Sequence, residues 1–131
     1  MSLDVHLVTP EREVWTGEAT MVVARGVEGD VGVLKGHAPM LIQLAIGPLF
    51  IHQGDRVEGV AVDGGFLHVT SRGEDTRVDI LAEQAELESE IDVGEAERQR
   101  SDAEQQIAQG NAARRADLAR AMARIRAKGR S

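Results

Sequence analysis

The sequence predicts an α+β protein in which an N-terminal antiparallel β-sandwich of about ten short strands precedes a C-terminal antiparallel two-helix hairpin. The first observation behind this prediction is a change of composition along the chain. Residues 1–81 contain 13 valines and 5 alanines, whereas residues 82–131 contain 1 valine and 12 alanines. Valine-rich sequence favours strands and alanine-rich sequence favours helix. We therefore divide the chain into a β-sandwich domain at residues 1–85 and a helical hairpin at residues 86–131.

The second observation is an apolar pattern with a period of two in the first region. Leu3, Val5 and Leu7 share one face of an extended chain, with Asp4 and His6 on the other. The same alternation recurs at residues 31–33, 67–69 and 78–80. Short strands at this spacing are typical of a sandwich or barrel. The turn-forming clusters that separate them are Thr9-Pro10-Glu11, Glu28-Gly29-Asp30, Gln53-Gly54-Asp55, Asp63-Gly64-Gly65 and Arg72-Gly73-Glu74.

The third observation is a helical period in the second region. Asp92 is placed to cap a first helix, and Glu95 three residues later completes a predicted capping box. Its apolar stripe consists of Val93, Ala96, Ala103 and Ile107. Gly110-Asn111 is the predicted end of this helix and the N-cap of a second one. The stripe of the second helix consists of Leu118, Met122 and Ile125.

Both helices present mostly alanine on their apolar faces, so the hairpin needs a surface to lie on. Their charges differ in sign. The segment from residue 83 to residue 104 is mainly acidic, whereas residues 112–131 carry seven basic residues against one aspartate. Two interpretations stay open at this point. The basic helix pairs with the acidic one within the chain, or it also reaches an acidic surface on a partner.

Several kinds of chemistry have no support in the sequence. The chain has no cysteine, which excludes disulfides, cysteine-bound zinc and thiol catalysis. Its four histidines lack a metal-binding spacing, and neither a nucleophile elbow nor a phosphate-binding loop occurs. We therefore expect no catalytic residue, no metal and no cofactor. The formal net charge of -7 argues against a nucleic-acid partner.

The sequence also predicts neither a membrane span nor a secretory signal. The longest nearly uncharged run, residues 36–50, contains a histidine, two prolines and a glutamine. It is too short and too broken to cross a bilayer. The first residues have no basic cluster followed by an apolar stretch. We therefore expect a soluble protein that meets a membrane only through a partner.

Residues 29–41 are an unusual connection for a sheet, because turn formers surround a solitary histidine and an apolar run follows. Their sequence is Gly-Asp-Val-Gly-Val-Leu-Lys-Gly-His-Ala-Pro-Met-Leu. One interpretation is a tight turn that leads into a core strand, with His37 satisfying backbone groups. The other is an exposed loop whose shape docks another protein. The residues alone give these interpretations equal weight.

This segment resembles the most recognisable stretch of the epsilon-subunit family of the F-type ATP synthase, written Gly-Glu-x-Gly-x-x-Pro-Gly-His-Ala-Pro. Two further stretches match the family in the same order. They are Ala-Val-Asp-Gly-Gly-Phe-Leu-His-Val at residues 61–69 and Ile-Leu-Ala-Glu at residues 80–83. Ile91-Asp92 then opens the helical part. The resemblance covers nearly the whole chain, and the ordered set is more specific than any one motif.

The resemblance implies a non-catalytic rotor subunit of the central stalk. In that family the sandwich packs on the gamma subunit and rests on the ring of c subunits. It couples proton-driven rotation of the c-ring to ATP synthesis in the catalytic head. The hairpin either folds on the sandwich or extends toward the alpha and beta subunits, where it inhibits ATP hydrolysis. A bacterial member would lie at the cytoplasmic face of the plasma membrane, held there through the complex.

The resemblance also implies roles for particular residues. Asp30 matches the acidic residue of the loop that faces the c-ring, and His37 and Ile42 match positions on the gamma-facing strand. Met40 joins them through the apolar run Met40-Leu41-Ile42, which is a candidate interface. For the hairpin we expect an inhibitory contact with an acidic surface of the catalytic head. The residues expected to make it are Arg114, Arg115, Arg120, Arg124 and Arg126.

Two positions depart from the family pattern. Some bacterial members hold ATP on the folded hairpin through Ile/Leu-Asp-x-x-Arg-Ala, whereas this chain has Glu95 at the position of that arginine. A carboxylate repels a triphosphate where a guanidinium attracts it. We therefore expect weak or absent ATP binding. At the second position Lys35 replaces a common proline, which puts a cation in the docking turn.

Other classes of protein fit the sequence less well. The main alternative is a free-standing β-sandwich binding or adaptor module with a basic helical tail. One tryptophan and no tyrosine argue against a sugar-binding site, which usually stacks rings on such residues. A basic tail that binds nucleic acid is disfavoured by the negative net charge. An enzyme with an unrecognised site is the weakest alternative.

Overall fold

A computed structural model describes residues 2–129 of the chain. They form eight strands and two α-helices, with short 3-10 turns at residues 88–90 and 112–114. The predicted order of strands followed by two helices is confirmed. The helices are α1 (Val93–Ala108) and α2 (Arg115–Gly129). The strands are β1 (Leu3–Val8), β2 (Glu13–Ala19), β3 (Met21–Gly26), β4 (Gly29–Leu34), β5 (Met40–Gln53), β6 (Arg56–Arg72), β7 (Asp75–Ala82) and β8 (Ala85–Leu87).

One hydrogen-bonded sheet builds both layers of the sandwich. Its strand order is β2-β1-β7-β6-β5-β3-β4, with β8 paired to β6. The second half of β6 pairs with β7, whereas its first half pairs with β8. β5 accompanies β6 along nearly its whole length. The sheet therefore folds over across the middle of these two strands, which separates a first layer containing β1, β2 and β7 from a second layer containing β3, β4 and β8.

Two glycines bend β6 where the sheet folds over. Gly64 and Gly65 have φ angles of +70° and +111°, in the region that glycine alone visits freely. A Cβ atom on Gly65 would lie 2.1 Å from the carbonyl oxygen of Leu81, so only glycine fits where β6 passes β7. The sequence predicts a turn between two strands here. That expectation is corrected, because one strand continues through the bend.

The same bend explains the number of strands. β5 and β6 have 14 and 17 residues, and each serves both layers, so residues 2–129 contain eight strands instead of about ten short ones. The sheet is antiparallel except between β1 and β7, which run parallel. The first strand of the chain thus pairs with β7, which lies about 70 residues later in the sequence. The first layer is therefore held together by contacts between residues far apart in the chain.

The core lies between the two layers and is filled by the inward-facing residues of the strands. The period-two pattern predicts this arrangement, and Leu3, Val5 and Leu7 of β1 have no exposed surface. Alternation works because successive side chains of a strand point to opposite faces. The other large side chains that are fully buried are Leu49, Ile51, Leu67, Ile80, Val22, Val33, Val60, Val69 and Val78.

The ends of α1 lie where the sequence predicts them. Asp92 caps the helix by accepting a hydrogen bond from the backbone N–H of Glu95 at 3.1 Å. Gly110 ends it with a φ angle of +95°. Only the Asp92 half of the predicted capping box forms. The Glu95 carboxylate accepts a hydrogen bond from Arg124 of α2, so a contact between helices replaces a contact with the cap.

The start of α2 differs from the sequence prediction. Asn111 does not cap it, because its side chain donates instead to Gln106 of α1 at 3.4 Å. The chain makes a 3-10 turn at residues 112–114, and α2 begins at Arg115. The buried residues of both helices are all alanines. They are Ala96, Ala103, Ala121, Ala123 and Ala127. The bulkier stripe predicted for α2 is only half buried.

An ion pair connects the segment after β8 to the sandwich. Arg12, in the β1–β2 turn, donates to the Glu90 carboxylate at 2.8 Å, and the same carboxylate accepts from the backbone N–H of Leu87 at 2.9 Å. The hydrogen bond from Arg12, followed by the one from Leu87, lowers the pKa of Glu90 below its ordinary value of 4.5. The predicted domain boundary after residue 85 falls inside β8, and contacts with the sandwich continue to Glu90.

We expect Glu90 to contribute stability that disappears in acid. Because its pKa is lower in the folded chain than in the unfolded one, the contribution is present above pH 4.5 and is lost as the pH falls through the folded value. Glu90→Gln should unfold at a lower urea concentration than the wild type at neutral pH, and the difference should shrink and disappear as the pH falls below the lowered pKa of Glu90.

The matched control for this experiment is Glu74→Gln, in the exposed β6–β7 turn. Glu74 has no ion pair within residues 2–129. The urea midpoint of Glu74→Gln should therefore equal that of the wild type at every pH. If Glu90→Gln and Glu74→Gln show the same pH dependence, Glu90 does not make the contribution described.

Candidate functional site

An exposed apolar area covers part of the outer face of the first layer. Leu41, Phe66 and Leu81 form it, with exposed fractions of 66%, 48% and 53%, and we call them the outer apolar patch. Phe66 pairs directly with Leu81 across β6 and β7. Leu41 lies two residues from Gln43, which is the β5 partner of Phe66. Residues two apart on a strand share a face, so the three side chains form one area.

Polar side chains border the outer apolar patch. His68 pairs with Leu41 on one side and with Asp79 on the other, and it is exposed. Gln43 is exposed beside Phe66. An apolar centre with a polar rim is the usual anatomy of a protein–protein interface, and isolated apolar residues do not produce it.

The structure divides the apolar run Met40-Leu41-Ile42 that the sequence offered as an interface. Met40 and Ile42 are half buried and pack against the core. Leu41, between them, points outward. The period of two along β5 causes this division. Met40 and Ile42 therefore support the strand from inside, and only Leu41 of the three is available to a partner.

Phe66 and Leu81 are candidate interface residues that the sequence analysis did not single out. The signal was present, because their neighbours Leu67 and Ile80 belong to the predicted inward face. An apolar residue beside an inward one must point to the outer face. The sequence could not show that the two residues are paired, since they lie 15 positions apart and on different strands.

Asp30 lies near the start of β4, and His37, seven residues later in the sequence, lies just beyond its end. Asp30 is exposed and accepts a hydrogen bond from Arg25 at 3.3 Å. His37 follows the other end of the strand, with its ring Nδ1 at 2.8 Å from the carbonyl oxygen of Ala38. The backbone N–H of His37 donates to the carbonyl oxygen of Leu34 at 3.0 Å, so His37 lies near the end of β4. An extended chain advances about 3.3 Å per residue, and the four residues from Asp30 to Leu34 therefore span roughly 13 Å.

The turn at His37 is anchored to the first layer. The backbone N–H of Gly36 donates to the hydroxyl of Thr76 at 2.8 Å, and the hydroxyl of Ser71 donates to the carbonyl oxygen of His37 at 2.8 Å. Thr76 is buried, so the turn is fixed by the core side of the sheet. Lys35, in the same turn, is exposed.

α2 lies directly on β6, on the outer face of the second layer. A Cβ atom on Gly59 would lie 2.0 Å from the carbonyl oxygen of Ala127, so the helix backbone occupies the space that a larger side chain would need. Ala61, Ile91, Ala123 and Ala127 form a small apolar cluster at this contact. Because alanine and glycine bury little area, the apolar contribution to docking is small.

Arg124 joins α2 to two other elements. Its guanidinium donates to Glu86 of β8 at 2.8 Å and to Glu95 and Gln99 of α1 at 2.9 Å and 2.8 Å. The side chain is only 14% exposed. Burial opposes the charge, but the hydrogen bonds that Arg124 donates to Glu86 and Glu95 raise the pKa of Arg124 above its ordinary value. The guanidinium therefore stays charged and holds the hairpin to the sandwich.

Two further basic side chains attach α2 to the sandwich. Arg120 donates to Asp63 of β6 at 2.7 Å and to Asp117 of its own helix at 3.1 Å. The hydrogen bond with Asp63 raises the pKa of Arg120. Lys128 donates to the carbonyl oxygen of Glu88 at 2.8 Å. Polar contacts therefore border the small apolar cluster along the length of α2.

The remaining three arginines of the basic set divide into two kinds. Arg114 donates to Asp102 and Gln106 of α1 at 3.1 Å and 2.8 Å, so it holds the two helices together. Arg115 and Arg126 are exposed, and neither has an ion pair or a side-chain hydrogen bond within residues 2–129. The pairing of the basic helix with the acidic one is therefore present but incomplete.

A cleft of about 790 Å³ lies between the hairpin and the sandwich. The arginines that line it are Arg12, Arg114, Arg120 and Arg124, and each is paired with a carboxylate of the chain. Glu95 lines the same cleft. A phosphate would have to displace these carboxylates and approach Glu95, and both effects oppose binding.

Within residues 2–129, no group of three or more histidine, aspartate and glutamate side chains is placed to hold a metal ion. No helix of this part of the chain has the length and apolarity that a membrane span requires. The features that these residues do offer are an apolar sheet face with a polar rim and a docked basic hairpin. They define a subunit that binds other proteins.

Comparison with known proteins identifies the family. Residues 2–88 match the family described as ATP synthase, Delta/Epsilon chain, beta-sandwich domain. The ATP synthase epsilon chain of Thermobifida fusca (strain YX) is 49% identical over 128 residues, an alignment that covers 95% of this chain and 90% of that one. The chain therefore belongs to the ATP synthase delta/epsilon family, as an epsilon subunit of the F-type enzyme. The resemblance noted in the sequence is confirmed.

The fold is also similar to that of chains in two solved assemblies. One is the Euglena gracilis mitochondrial ATP synthase (OSCP/F1/c-ring), with a TM-score of 0.79, 24% identity and coverage of 99% of this chain and 82% of that one. The other is the central stalk/c-ring of the Tetrahymena thermophila mitochondrial ATP synthase, with a TM-score of 0.53, 18% identity and 69% coverage of each chain. At these identities the likeness concerns the fold.

We expect Gly59→Ala to lift the hairpin off the sandwich. The added methyl group overlaps the backbone of Ala127, which cannot turn away as a side chain could. β6 itself accepts alanine, because Gly59 has no positive φ angle. Amide hydrogens of α1 and α2 should exchange about tenfold faster, while those of β1 and β7 keep their protection. Hydrogen-exchange mass spectrometry measures both.

Gly32→Ala is the control for that experiment. Gly32 also lies in a strand without a positive φ angle, and a Cβ atom there meets nothing within 4 Å. It should leave exchange in both helices at the wild-type rate. If the amide hydrogens of α2 exchange at the same rate in Gly59→Ala as in the wild type, the helix does not pack on this glycine.

We expect the full chain not to bind ATP at micromolar concentration. The arginines of the cleft already hold internal carboxylates, and Glu95 adds a negative charge beside Arg124. Isothermal titration calorimetry with Mg-ATP should give no saturable heat up to about 1 mM, where the binding free energy is near -4 kcal/mol. A dissociation constant in the micromolar range would overturn this expectation.

Proposed function

We propose that this chain is a non-catalytic subunit of the central stalk of a proton-translocating F-type ATP synthase. It couples rotation of the c-ring to ATP synthesis in the catalytic head, and its hairpin inhibits ATP hydrolysis. The observation that carries the proposal is the outer apolar patch on an epsilon-type sandwich. Three exposed apolar side chains on adjacent strands require a protein partner, because their exposure to water is unfavourable.

The gamma subunit is the proposed partner of the outer apolar patch. Leu41, Phe66 and Leu81 supply the apolar centre of the contact, and His68 and Gln43 belong to its polar rim. Burying side chains of this size contributes about 1.5–3 kcal/mol each. Since about half of each side chain is already buried, the gain on contact is a part of these values, and it favours binding against the cost of association.

His37, Met40 and Ile42, which the sequence assigned to this contact, also contribute to it in the proposal. His37 contacts gamma at the margin of the same layer, where Ser71 and Thr76 fix its turn. Met40 and Ile42 act from inside, because they pack against the core and set the position of Leu41. Their substitution would disturb the sandwich as well as the contact.

The c-ring is the proposed partner of the β3–β4 turn at residues 27–28 and of Asp30, which follows this turn at the start of β4. This turn lies beside the patch, because the backbone N–H of Val27 donates to the carbonyl oxygen of Gln43 at 3.0 Å. Val27 is 56% exposed, so the turn offers an apolar side chain and a carboxylate together. One end of the sandwich can thus rest on the ring while the patch faces gamma. The subunit reaches the cytoplasmic face of the bacterial plasma membrane only through these contacts.

The hairpin is proposed to leave the sandwich and contact acidic surface on the alpha and beta subunits. Two arrangements of one element need similar free energies. The docked arrangement meets this condition, because it rests on alanine, glycine and a few ion pairs. Exposed ion pairs contribute about 0–1 kcal/mol each, so an acidic partner surface can compensate for their loss.

We expect Leu41→Ser/Phe66→Ser to weaken binding to gamma. Loss of two apolar contacts should raise the dissociation constant at least about tenfold. The full chain is titrated into the cognate alpha–beta–gamma head. Biolayer interferometry measures binding, and the rate of ATP hydrolysis measures inhibition. The wild type should bind and inhibit saturably.

The control is Leu34→Ser, which removes a leucine of similar exposure (57%) from the outer face of the second layer. It should bind as the wild type does. Equal affinity of the double variant and the wild type would place the gamma contact elsewhere. Failure of the wild type to bind the head would refute the proposed function itself.

A further inference from the structure

The basic residues of α2 are not equivalent in the docked hairpin. Arg120 and Arg124 make ion pairs with the sandwich, at Asp63 and Glu86, over donor–acceptor distances of 2.7 Å and 2.8 Å. Such contacts exist only while the hairpin is docked. If these side chains are removed, only the docked arrangement loses attachments to the sandwich. The contacts of Arg120 with Asp117 and of Arg124 with Glu95 and Gln99 lie within the hairpin and are lost in both arrangements.

Arg124 is the strongest of these attachments. It bonds acceptors on β8 and on α1 at once and is 14% exposed. When the hairpin leaves, Glu86 remains on the sandwich while Arg124 moves away with α2. Glu86 must then find water or a new partner, whereas Arg124 keeps only Glu95 and Gln99 of α1, so the pair with Glu86 favours docking.

Arg115 and Arg126 have the opposite character. They are 11 residues apart on α2, which places them on nearly the same side of the helix and about 16 Å apart. Both are exposed and make no ion pair within residues 2–129. Two unpaired cations on one side of a helix form a surface that complements carboxylates on a partner, and it is available before the hairpin moves.

We propose that the arginines of α2 act in opposite directions: Arg120 and Arg124 hold the hairpin on the sandwich, whereas Arg115 and Arg126 bind the acidic surface of the partner. This inference rests on the proposed function for its second half only. The first half, which we call the docking half, concerns Arg120 and Arg124 in the isolated chain. The second half, which we call the partner half, concerns Arg115 and Arg126. This inference replaces the expectation that all five arginines make the inhibitory contact in the same way.

Arg114 belongs to neither group. Its partners Asp102, Gln106 and Asp117 all lie on the hairpin. It therefore travels with the hairpin and keeps α1 beside the start of α2 in either arrangement. Substitution of Arg114 should loosen the hairpin itself, which is why it is left unchanged in the experiments below.

The docking half is tested on the full chain alone. The chain has no cysteine, so Asp55→Cys in the β5–β6 turn and Gln109→Cys at the end of α1 provide two exposed sites for spin labels. Double electron–electron resonance then measures the distribution of distances between sandwich and hairpin. Two variants with equal loss of charge are compared in this background. They are Arg120→Gln/Arg124→Gln and Arg115→Gln/Arg126→Gln.

The ratio of undocked to docked chains should rise at least about fivefold in Arg120→Gln/Arg124→Gln, the factor that corresponds to 1 kcal/mol. Arg115→Gln/Arg126→Gln should keep the wild-type distribution. Gly59→Ala, which separates the helix from β6 by overlap with Ala127, gives the distribution of the undocked hairpin. Equal distributions in the two arginine variants would overturn the docking half.

The partner half is tested by inhibition of ATP hydrolysis by the cognate alpha–beta–gamma head. The concentration for half-maximal inhibition should rise about fivefold for Arg115→Gln/Arg126→Gln, because two contacts with carboxylates of the partner are lost. It should stay equal or fall for Arg120→Gln/Arg124→Gln. An equal loss of inhibition in both variants would overturn the division.

Failure of the proposed function has a different signature. If the wild type does not inhibit the head at any concentration, the proposed function fails and the partner half fails with it. The distances measured on the isolated chain still decide the docking half. Inhibition by the wild type combined with equal effects of the two variants refutes the division alone.

Discussion

The bend of β6 at Gly64 and Gly65 is the constraint on which the rest of the structure depends. It folds one continuous sheet into two layers, because only glycine fits both the backbone angles and the close passage of β7. Two outer faces result, and they have different contents. The face of the first layer carries the outer apolar patch, and the face of the second layer carries the hairpin. The outer apolar patch therefore stays uncovered while the hairpin is docked.

The hairpin is held by contacts that are numerous but individually weak. Its apolar contact consists of alanines and one isoleucine over Gly59 and Ala61, and small side chains bury little area. Its polar contacts are ion pairs at the edge of a cleft, which solvent and salt weaken. A helix that carried leucine at the same positions would need more space than Gly59 leaves. The close approach of backbone to backbone thus limits how strongly the hairpin can dock, and this limit favours reversibility.

The electrostatics of the cleft follow from the same arrangement. Glu95 turns from its own helix cap toward Arg124, and the arginines around it are each held by carboxylates of the chain. The chain thereby supplies from its own side chains the negative charge that these arginines need. Docking of the hairpin consequently requires no bound anion. Of the five arginines, Arg115 and Arg126 are exposed and lack such partners within residues 2–129.

The sequence by itself determined the order of elements, the inward faces of the strands, the ends of α1 and the family. These properties depend on residues close together in the chain, such as Leu3, Val5 and Leu7 or Asp92 and Gly110. Only the tertiary structure decided which residues meet across strands. Phe66 pairs with Leu81, and the backbone of Ala127 packs on Gly59. Asp30 and His37 lie apart, and some arginines of the hairpin have carboxylate partners whereas others do not. The physical reason is that local patterns fix which side of a strand or helix a residue faces, whereas pairing register and helix docking depend on contacts between residues far apart in the chain.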